Sequence, residues 1–201
     1  MHELHKLIDC TQSLYSDVSA EWRRRSGCME NLKKMLISDL TSDSITYQHV
    51  LDYIYLLNEY NPFIALKLPF ACAYQVTFRV KTQNSIEYKI QQYNTGQHGR
   101  GKVPIIKCLN DLLGVRIILE SPATYDEIDR FMTDCYGKRY RCINSSKQEY
   151  KAAHIYFKEN NFTFPWELQV WNRSDADKNF ASHKKYKQGY TMWENRSRQE
   201  V

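Results

Sequence analysis

Apolar positions in residues 1–60 recur at helical spacing. Leu4, Leu7, Ile8 and Leu14 form one stripe. Leu32, Leu36 and Leu40 recur every fourth residue. Ile45, Val50, Tyr53, Ile54 and Leu57 form a third stripe that ends before Pro62. A period near 3.6 predicts helices here, the last one closed by the proline. From residue 71 the pattern changes. Thr77, Phe78 and Val80 favour extended backbone, which predicts a first strand over 71–80. Thr82, Asn84 and Ser85 are helix-starting residues and Ile86 with Ile90 has helical spacing, which predicts a helix over 84–94. The β-branched run GVRIILE at 114–120 predicts a central strand. Residues 122–136 open on Pro122 with acids in the first turn and predict a helix. RYRCIN at 139–144 predicts a short strand. KAAHIYFKE and FTFPWELQVW flank Asn160–Asn161 and predict a hairpin, with Pro165 calling for an edge or a bulge. A basic helix is predicted from Asp175 to Tyr190. Helices first, then strands and helices mixed, imply an α+β fold around one mixed sheet. The division expected is an N-terminal helical extension at 1–65 packed on a core at 66–201.

The 201 residues, 42% hydrophobic and 25% charged, suit a folded domain with a substantial core. No apolar run reaches the roughly 18 residues of a membrane span. The N-terminus MHELHKLIDC lacks the basic-then-apolar order of a signal peptide, so a cytoplasmic protein is expected. Six cysteines without a CxxC pair argue against a zinc site and a disulfide framework, and reduced thiols follow. The net charge of +5 is uneven: residues 1–70 carry 7 Lys/Arg against 9 Asp/Glu, and residues 71–201 carry 21 against 14. A basic C-terminal part suits a polyanionic ligand, either a nucleotide or RNA.

Candidate chemistry centres on RVKTQNSIEYK, residues 79–89. On a strand Arg79 and Lys81 share a face, and on a helix Ser85 and Lys89 do. Three cations and a hydroxyl thus converge on a helix start, a seat for a polyphosphate. TGQHGRGKVP at 95–104 carries His98, Arg100 and Lys102 on glycine-rich backbone; a loop over phosphates and a plain surface loop fit it equally, and the Walker spacing is absent. Polyphosphate chemistry also needs carboxylates for magnesium. Asp111 precedes a strand, and Glu167 lies in an aromatic and apolar strand with Gln169 on its face. Singly, these side chains fit better as a solvated basic strand end, a turn cap and a solvent-facing acid. Arg23, Arg24 and Arg25, with Lys33 and Lys34, form either a solvated face or an RNA-contacting patch.

Together, in order, these residues resemble the synthetase domain of the RelA/SpoT family. Arg79-x-Lys81-xxx-Ser85-Ile86-xx-Lys89 resembles its ATP-binding motif, and Asp111-xx-Gly114-Val115-Arg116 its magnesium-binding segment. Tyr150-xxx-His154 resembles the YRSLH element, Glu167-x-Gln169 the E-x-Q element, and His183, sixteen past Glu167, the histidine of the E-H pair. The resemblance spans about Arg79 to Lys187. It implies a nucleotidyltransferase-like fold, a sheet of about five strands flanked by helices, and transfer of the β,γ-pyrophosphate of ATP to a 3′-hydroxyl. By the same resemblance, Arg79 and Arg116 stack on the adenine, and Lys81, Ser85 and Lys89 hold the triphosphate. Asp111 and Glu167 bind Mg²⁺, with Glu167 also assisting deprotonation. Tyr150 stacks on the acceptor base, while His154, Gln169 and His183 position the acceptor or phosphates.

The departures from the family pattern fall on the acceptor side. Glu149 replaces a glycine before the tyrosine, Trp171 replaces the arginine of ELQIRT, Ser182 replaces the acid before the histidine, and HKKYK is one residue short. Single-domain relatives are small alarmone synthetases, using GDP, GTP or adenosine nucleotides, and toxic small alarmone synthetases of toxin–antitoxin pairs, some of which modify the tRNA 3′-CCA end. Lys184, Lys185, Lys187, Arg196 and Arg198 with interleaved aromatics, together with Lys138, Arg139 and Arg141, suit an RNA acceptor stem. The expectation is therefore a tRNA-modifying toxin with an antitoxin partner. An alarmone synthetase is the alternative, and a non-catalytic nucleotide- or RNA-binding module is the reading from another class.

Overall fold

The structure, a computed structural model, describes residues 1–27, 30–41, 44–70, 75–96 and 99–184. Helix α1 (His2–Ser26) buries one stripe: Leu4, Leu7, Ile8, Leu14, Tyr15, Val18 and Trp22. It stops at Gly27, whose φ of 56° glycine adopts without a Cβ penalty. Helix α2 (Ile45–Phe70) runs straight through Pro62, contrary to the expected stop. Beyond the proline, Ile64 and Leu68 are fully buried, so packing of the continuing stripe outweighs one lost backbone bond.

Residues 30–41 are not the helix expected from Leu32, Leu36 and Leu40. They form a turn and a 3-10 segment, Ile37–Asp39. Their backbone finds partners elsewhere: Leu32 N–H donates to Asn161 O at 2.8 Å and Ile37 N–H to Val103 O at 2.9 Å. Buried Leu32 and Leu40 supply the apolar positions without a helical repeat.

Five strands form one mixed sheet in the order β1-β2-β5-β4-β3. They are β1 (Gln75–Val80), β2 (Leu113–Leu119), β3 (Arg141–Asn144), β4 (Ala153–Phe157) and β5 (Trp166–Asn172). β2 and β5 are parallel, and the remaining neighbours are antiparallel. The predicted hairpin is β4–β5. Pro165 lies one residue before β5, the middle strand, so it interrupts no ladder and needs neither an edge nor a bulge. Helix α3 (Gln83–Thr95) is capped by Thr82, whose hydroxyl accepts from Ser85 N–H. A short α4 (Ile105–Cys108) precedes β2. Helix α5 (Tyr125–Tyr136) starts on a reciprocal cap between Thr124 and Glu127. Residues 176–184 are helical.

Strand alternation divides the sheet into two chemistries. Trp166, Leu168, Val170, Val115, Ile117, Ile155 and Phe157 belong to one continuous core that also takes in α1, α2, Ile86 and Ile90 of α3, and Ile128 and Met132 of α5. Trp166 anchors it: its indole N–H donates to Tyr53 Oη at 2.8 Å, and its ring meets Tyr15 edge-on at 5.5 Å. Burying a large apolar side chain contributes roughly 1.5–3 kcal/mol. The other face carries the polar residues. Among the described residues no helix is long and apolar enough to cross a membrane. Cys10, Cys108, Cys135 and Cys142 are free thiols.

Candidate functional site

Strand register sets the site. Arg79 pairs with Gly114, Gly114 with Glu167, and Glu167 with Tyr156; one step along, Arg116 pairs with Gln169 and Gln169 with His154. Directly opposed residues share a face, so four strands deliver these side chains to one side of the sheet. A cavity of about 470 Å³ opens there. Its walls include Arg79, Lys81, Lys89, Asp111, Tyr150, His154, Glu167, Gln169 and His183. Nine of the eleven nucleotide- and acceptor-site residues expected from sequence therefore meet in one cavity.

Asp111 is its electrostatic centre on the β1–α3 side. Lys81 Nζ lies 2.5 Å from Asp111 Oδ2 and Lys89 Nζ 2.9 Å from Oδ1. Burial alone would raise the Asp111 carboxyl; Lys89 and Lys81 outweigh it and hold it well below the usual carboxylate range. Burial pulls Lys81 down despite Asp111, whereas for Lys89 the attraction of Asp111 outweighs burial and its pKa rises. The two lysines expected on a triphosphate thus neutralise a buried carboxylate.

Glu167, 6% exposed, sits across the cavity within a hydrogen-bonded chain. Tyr156 Oη donates to its Oε2 at 2.8 Å, His154 Nδ1 lies 3.1 Å from the same oxygen, and Gln169 Nε2 donates to Oε1 at 2.7 Å. Burial would raise Glu167; the hydrogen bond from His154 outweighs it and keeps the carboxylate ionised. With Nδ1–H directed at Glu167, His154 Nε2 accepts the Tyr150 hydroxyl, 2.9 Å away. Burial and the Glu167 charge push the Tyr156 phenol far up, so it remains a donor.

Tyr150 stands on the tight β3–β4 connection, held by mutual backbone bonds between Lys147 and Tyr150 at 2.8 and 3.0 Å. Asn179, fully buried, clamps this connection to the 176–184 helix: it accepts from Lys151 N–H and donates to Lys151 O, both at 2.8 Å. His154, Trp171 and His183 meet the Tyr150 ring at 83°, 86° and 70°, so none lies flat against it. Tyr150 is pushed up to about 12, chiefly by burial. His183 Nε2 is buried with no hydrogen-bond partner among the described residues. Burial, then Arg116 and Arg79, pull this imidazole down to about 4, so it is neutral at pH 7.

Arg116 lines a separate, smaller cavity of about 130 Å³, shared with Arg79 and Gly114. A Cβ on Gly114 would meet nothing within 4 Å, which leaves open space beside the two guanidinium groups. One face of Arg116 lies 3.7 Å from the Trp171 ring, and its Nε and one Nη donate to Gln169 Oε1 at 3.1 and 2.9 Å. Burial lowers Arg116 to about 10, and it stays charged.

Ser85 is not brought into the main cavity; as the third residue of α3 its N–H and hydroxyl both bond Thr82. Arg100 and Lys102 do not line it either. Their loop docks on residues 37–38, with Ser38 N–H donating to Gly101 O at 3.1 Å. Arg24 and Arg25 pair with Glu21, and Arg25 also with Glu59, which is the solvated-face arrangement. A second groove of about 500 Å³ adjoins the site through Tyr156 and Ile143; it is lined by Lys33, Lys107, Lys138, Arg139, Arg141 and Lys158 with no acid among the described residues. Lys34 and Lys184 are exposed and line neither space. Lys185, Lys187, Arg196, Arg198 and His98 lie outside the described residues.

Sequence reasoning missed Tyr156 and Asn179 as parts of the site and met Trp171 only as an acceptor-side departure. Strand alternation from His154 was a signal for Tyr156, and alternation from Glu167 one for Trp171. Asn179 had none, because its partner is loop backbone.

Asp111 and Glu167 are a two-carboxylate oxygen donor set, which suits a hard cation that keeps phosphate and water ligands. No cluster of three or more His, Cys, Asp or Glu side chains able to hold a metal occurs among the described residues.

The model of the region found in RelA / SpoT proteins matches residues 78–191, more than half of the chain. No curated protein matches. Among solved structures, the small alarmone synthetase 2 of Bacillus subtilis is 17% identical at a TM-score of 0.41, over 72% of this chain and 82% of that one. The small alarmone synthetase 1 of the same organism is 16% identical at 0.39, over 73% and 75%. A GTP pyrophosphokinase family protein from Streptococcus pneumoniae is 15% identical at 0.41, over 74% and 78%.

Proposed function

This chain belongs to the RelA/SpoT family and is a pyrophosphokinase, and from that premise we propose that it transfers the β,γ-pyrophosphate of ATP to the terminal 3′-hydroxyl of tRNA. The observation that carries the RNA acceptor is the groove of six cations that meets the catalytic cavity at Ile143 and is also lined by Tyr156, the residue bonded to Glu167. Such a groove suits a sugar–phosphate backbone whose end reaches the carboxylate. Blocking the tRNA 3′ end stops translation, so the chain acts in the cytoplasm as the toxin of a pair with a neutralising antitoxin.

In this reading the adenine lies by Gly114 between Arg79 and Arg116, with the second face of Arg116 already against Trp171. Lys81 and Lys89 exchange Asp111 for phosphate oxygens. Asp111 and Glu167 hold Mg²⁺, which supplies further charge neutralisation on the triphosphate. The terminal base stacks on Tyr150, while Gln169 and His183, neutral and with Nε2 lacking a hydrogen-bond partner among the described residues, orient the acceptor. Glu167 takes the proton of the 3′-hydroxyl; the 3′-oxygen bonds the β-phosphorus as the α–β bridge breaks, and AMP leaves. Positioning and charge neutralisation supply the rate. Residues 66–201 act as the synthetase core, and the helical extension at 1–65 contributes Lys33 to the groove, with Lys34 near it on the surface.

A second reading, an alarmone synthetase using GDP, GTP or adenosine nucleotides, is favoured by the size of the 470 Å³ cavity, which has room for a free nucleotide beside Tyr150. A non-catalytic binding module is disfavoured by two carboxylates facing one cavity. The test is incubation with γ-³²P-ATP and Mg²⁺ in parallel with tRNA, GDP and GTP, using Glu167→Gln as control. Label on tRNA that the control loses supports the toxin. Label on guanosine nucleotides alone replaces it with the synthetase. Reversing charge at Lys138, Arg139 and Lys158 is expected to weaken tRNA labelling and flatten its salt dependence while sparing ATP binding.

A further inference from the structure

Trp171 touches two parts of the site, Arg116 on β2 and Tyr150 on the β3–β4 connection. It is 1% exposed, yet it lies outside the main core, in a small cluster with Ile118, Ala152 and Ala176 packed under Tyr150. By alternation from Glu167 and Gln169 it stands on the polar face of β5. Its ring lies 3.7 Å from Arg116 Cζ, and its indole N–H donates to Tyr150 Oη at 3.3 Å.

We propose that Trp171 is a positioning residue for both substrates: its ring face holds the Arg116 guanidinium on the ATP side, and its N–H orients the Tyr150 hydroxyl on the acceptor side. The inference rests on the pyrophosphokinase reading. A hydroxyl that accepts from the indole sends its own proton elsewhere. The nearest acceptor is His154 Nε2 at 2.9 Å, which leaves the ring proton on Nδ1, 3.1 Å from Glu167 Oε2. One donor at Trp171 thus sets the direction of a hydrogen-bonded chain that ends on the catalytic carboxylate. The two contacts use different parts of the indole: guanidinium attraction needs the π face, and the hydroxyl needs the N–H. They are therefore separable by substitution.

Phenylalanine keeps a ring and removes the donor; leucine removes both. Steady-state rates with ATP and acceptor varied separately are compared for the unmodified protein, Trp171→Phe, Trp171→Leu, Tyr150→Phe and the Trp171→Phe/Tyr150→Phe double variant. Trp171→Phe is expected to raise the acceptor KM by roughly five-fold, the worth of one neutral hydrogen bond, with the ATP KM nearly unchanged. Trp171→Leu raises both. The double variant matches Tyr150→Phe alone, because the donor has no hydroxyl left to orient. Equal shifts in both constants for Trp171→Phe, additive single effects, or lowered thermal stability with unchanged KM values would each overturn the proposal and leave Trp171 a packing residue. The same proteins are titrated with a non-hydrolysable ATP analogue and with a short RNA ending in CCA. If the unmodified protein transfers no label, the parent reading fails, while these titrations still decide Trp171 by the same pattern.

Discussion

Replacing Asp111 with asparagine isolates the resting charge balance of the site. Lys81 and Lys89 share this one carboxylate at 2.5 and 2.9 Å, and none of the three side chains is more than 19% exposed. At an effective dielectric near 20, unit charges at the longer distance attract by roughly 6 kcal/mol before desolvation is subtracted. Removing one partner of a buried pair costs about 3–5 kcal/mol, because the remaining charge is left uncompensated. Lys81, already pulled down by burial, sheds its proton more readily once Asp111 is gone, which places the effect in the lower half of that range. In a chain of this size each kcal/mol moves Tm by roughly 2–4 °C, so Asp111→Asn should melt about 10 °C lower at pH 7. The sign with pH follows from the depressed carboxyl. Its stabilisation is fully present above the unfolded value of about 3.9 and is lost as pH falls through the lower folded value, so the gap between the two proteins closes in acid. Calorimetry from pH 7 to pH 2 tests this, the gap narrowing only below about pH 4. Metal-free tripolyphosphate should then stabilise Asp111→Asn more than the unmodified protein, since the anion replaces the missing carboxylate without first displacing it. Melting points within 2 °C of each other, or equal stabilisation by tripolyphosphate, would refute a lysine pair poised between Asp111 and phosphate.

Tyr156→Phe removes a donor to Glu167 Oε2. Hydrogen bonds to charged groups contribute about 1.5–3 kcal/mol, so kcat/KM should drop at least ten-fold and the acid limb of its pH profile should move up; an unmoved limb would remove Tyr156 from the account. His183 has a folded pKa of about 4, below its value in the unfolded chain. Between about pH 6.5 and that value only the unfolded chain takes the proton, so stability should fall as pH falls across this window, and His183→Phe should lose that slope. An imidazole resonance of His183 titrating near 6.5 would contradict the burial described.

Much of the site was legible because it depends on short spacings. Arg79 with Lys81, Glu167 with Gln169 and the four-residue step from Tyr150 to His154 are set by strand and turn geometry, which is local. Strand alternation likewise separated the polar positions of β5 from Trp166, Leu168 and Val170. Where tertiary contacts compete with local pattern, the pattern misled. The four-residue leucine spacing over 32–40 suggested a helix, but Asn161 and Val103 capture that backbone. Pro62 suggested a helix end, but buried Ile64 and Leu68 carry α2 past it.

The sequence by itself determined the α+β character, the order of the motifs and the excess of positive charge after residue 70. These follow from periodicity and composition, which need no distant partner. Only the tertiary structure decided what the charges do. The sharing of Asp111 between Lys81 and Lys89, the chain from Trp171 through Tyr150 and His154 to Glu167, and the assembly of Lys33 with Lys107, Lys138 and Lys158 all join residues far apart in sequence. Such pairings are set by strand register and by the shared core, so they exist only once the sheet has closed on α1 and α2.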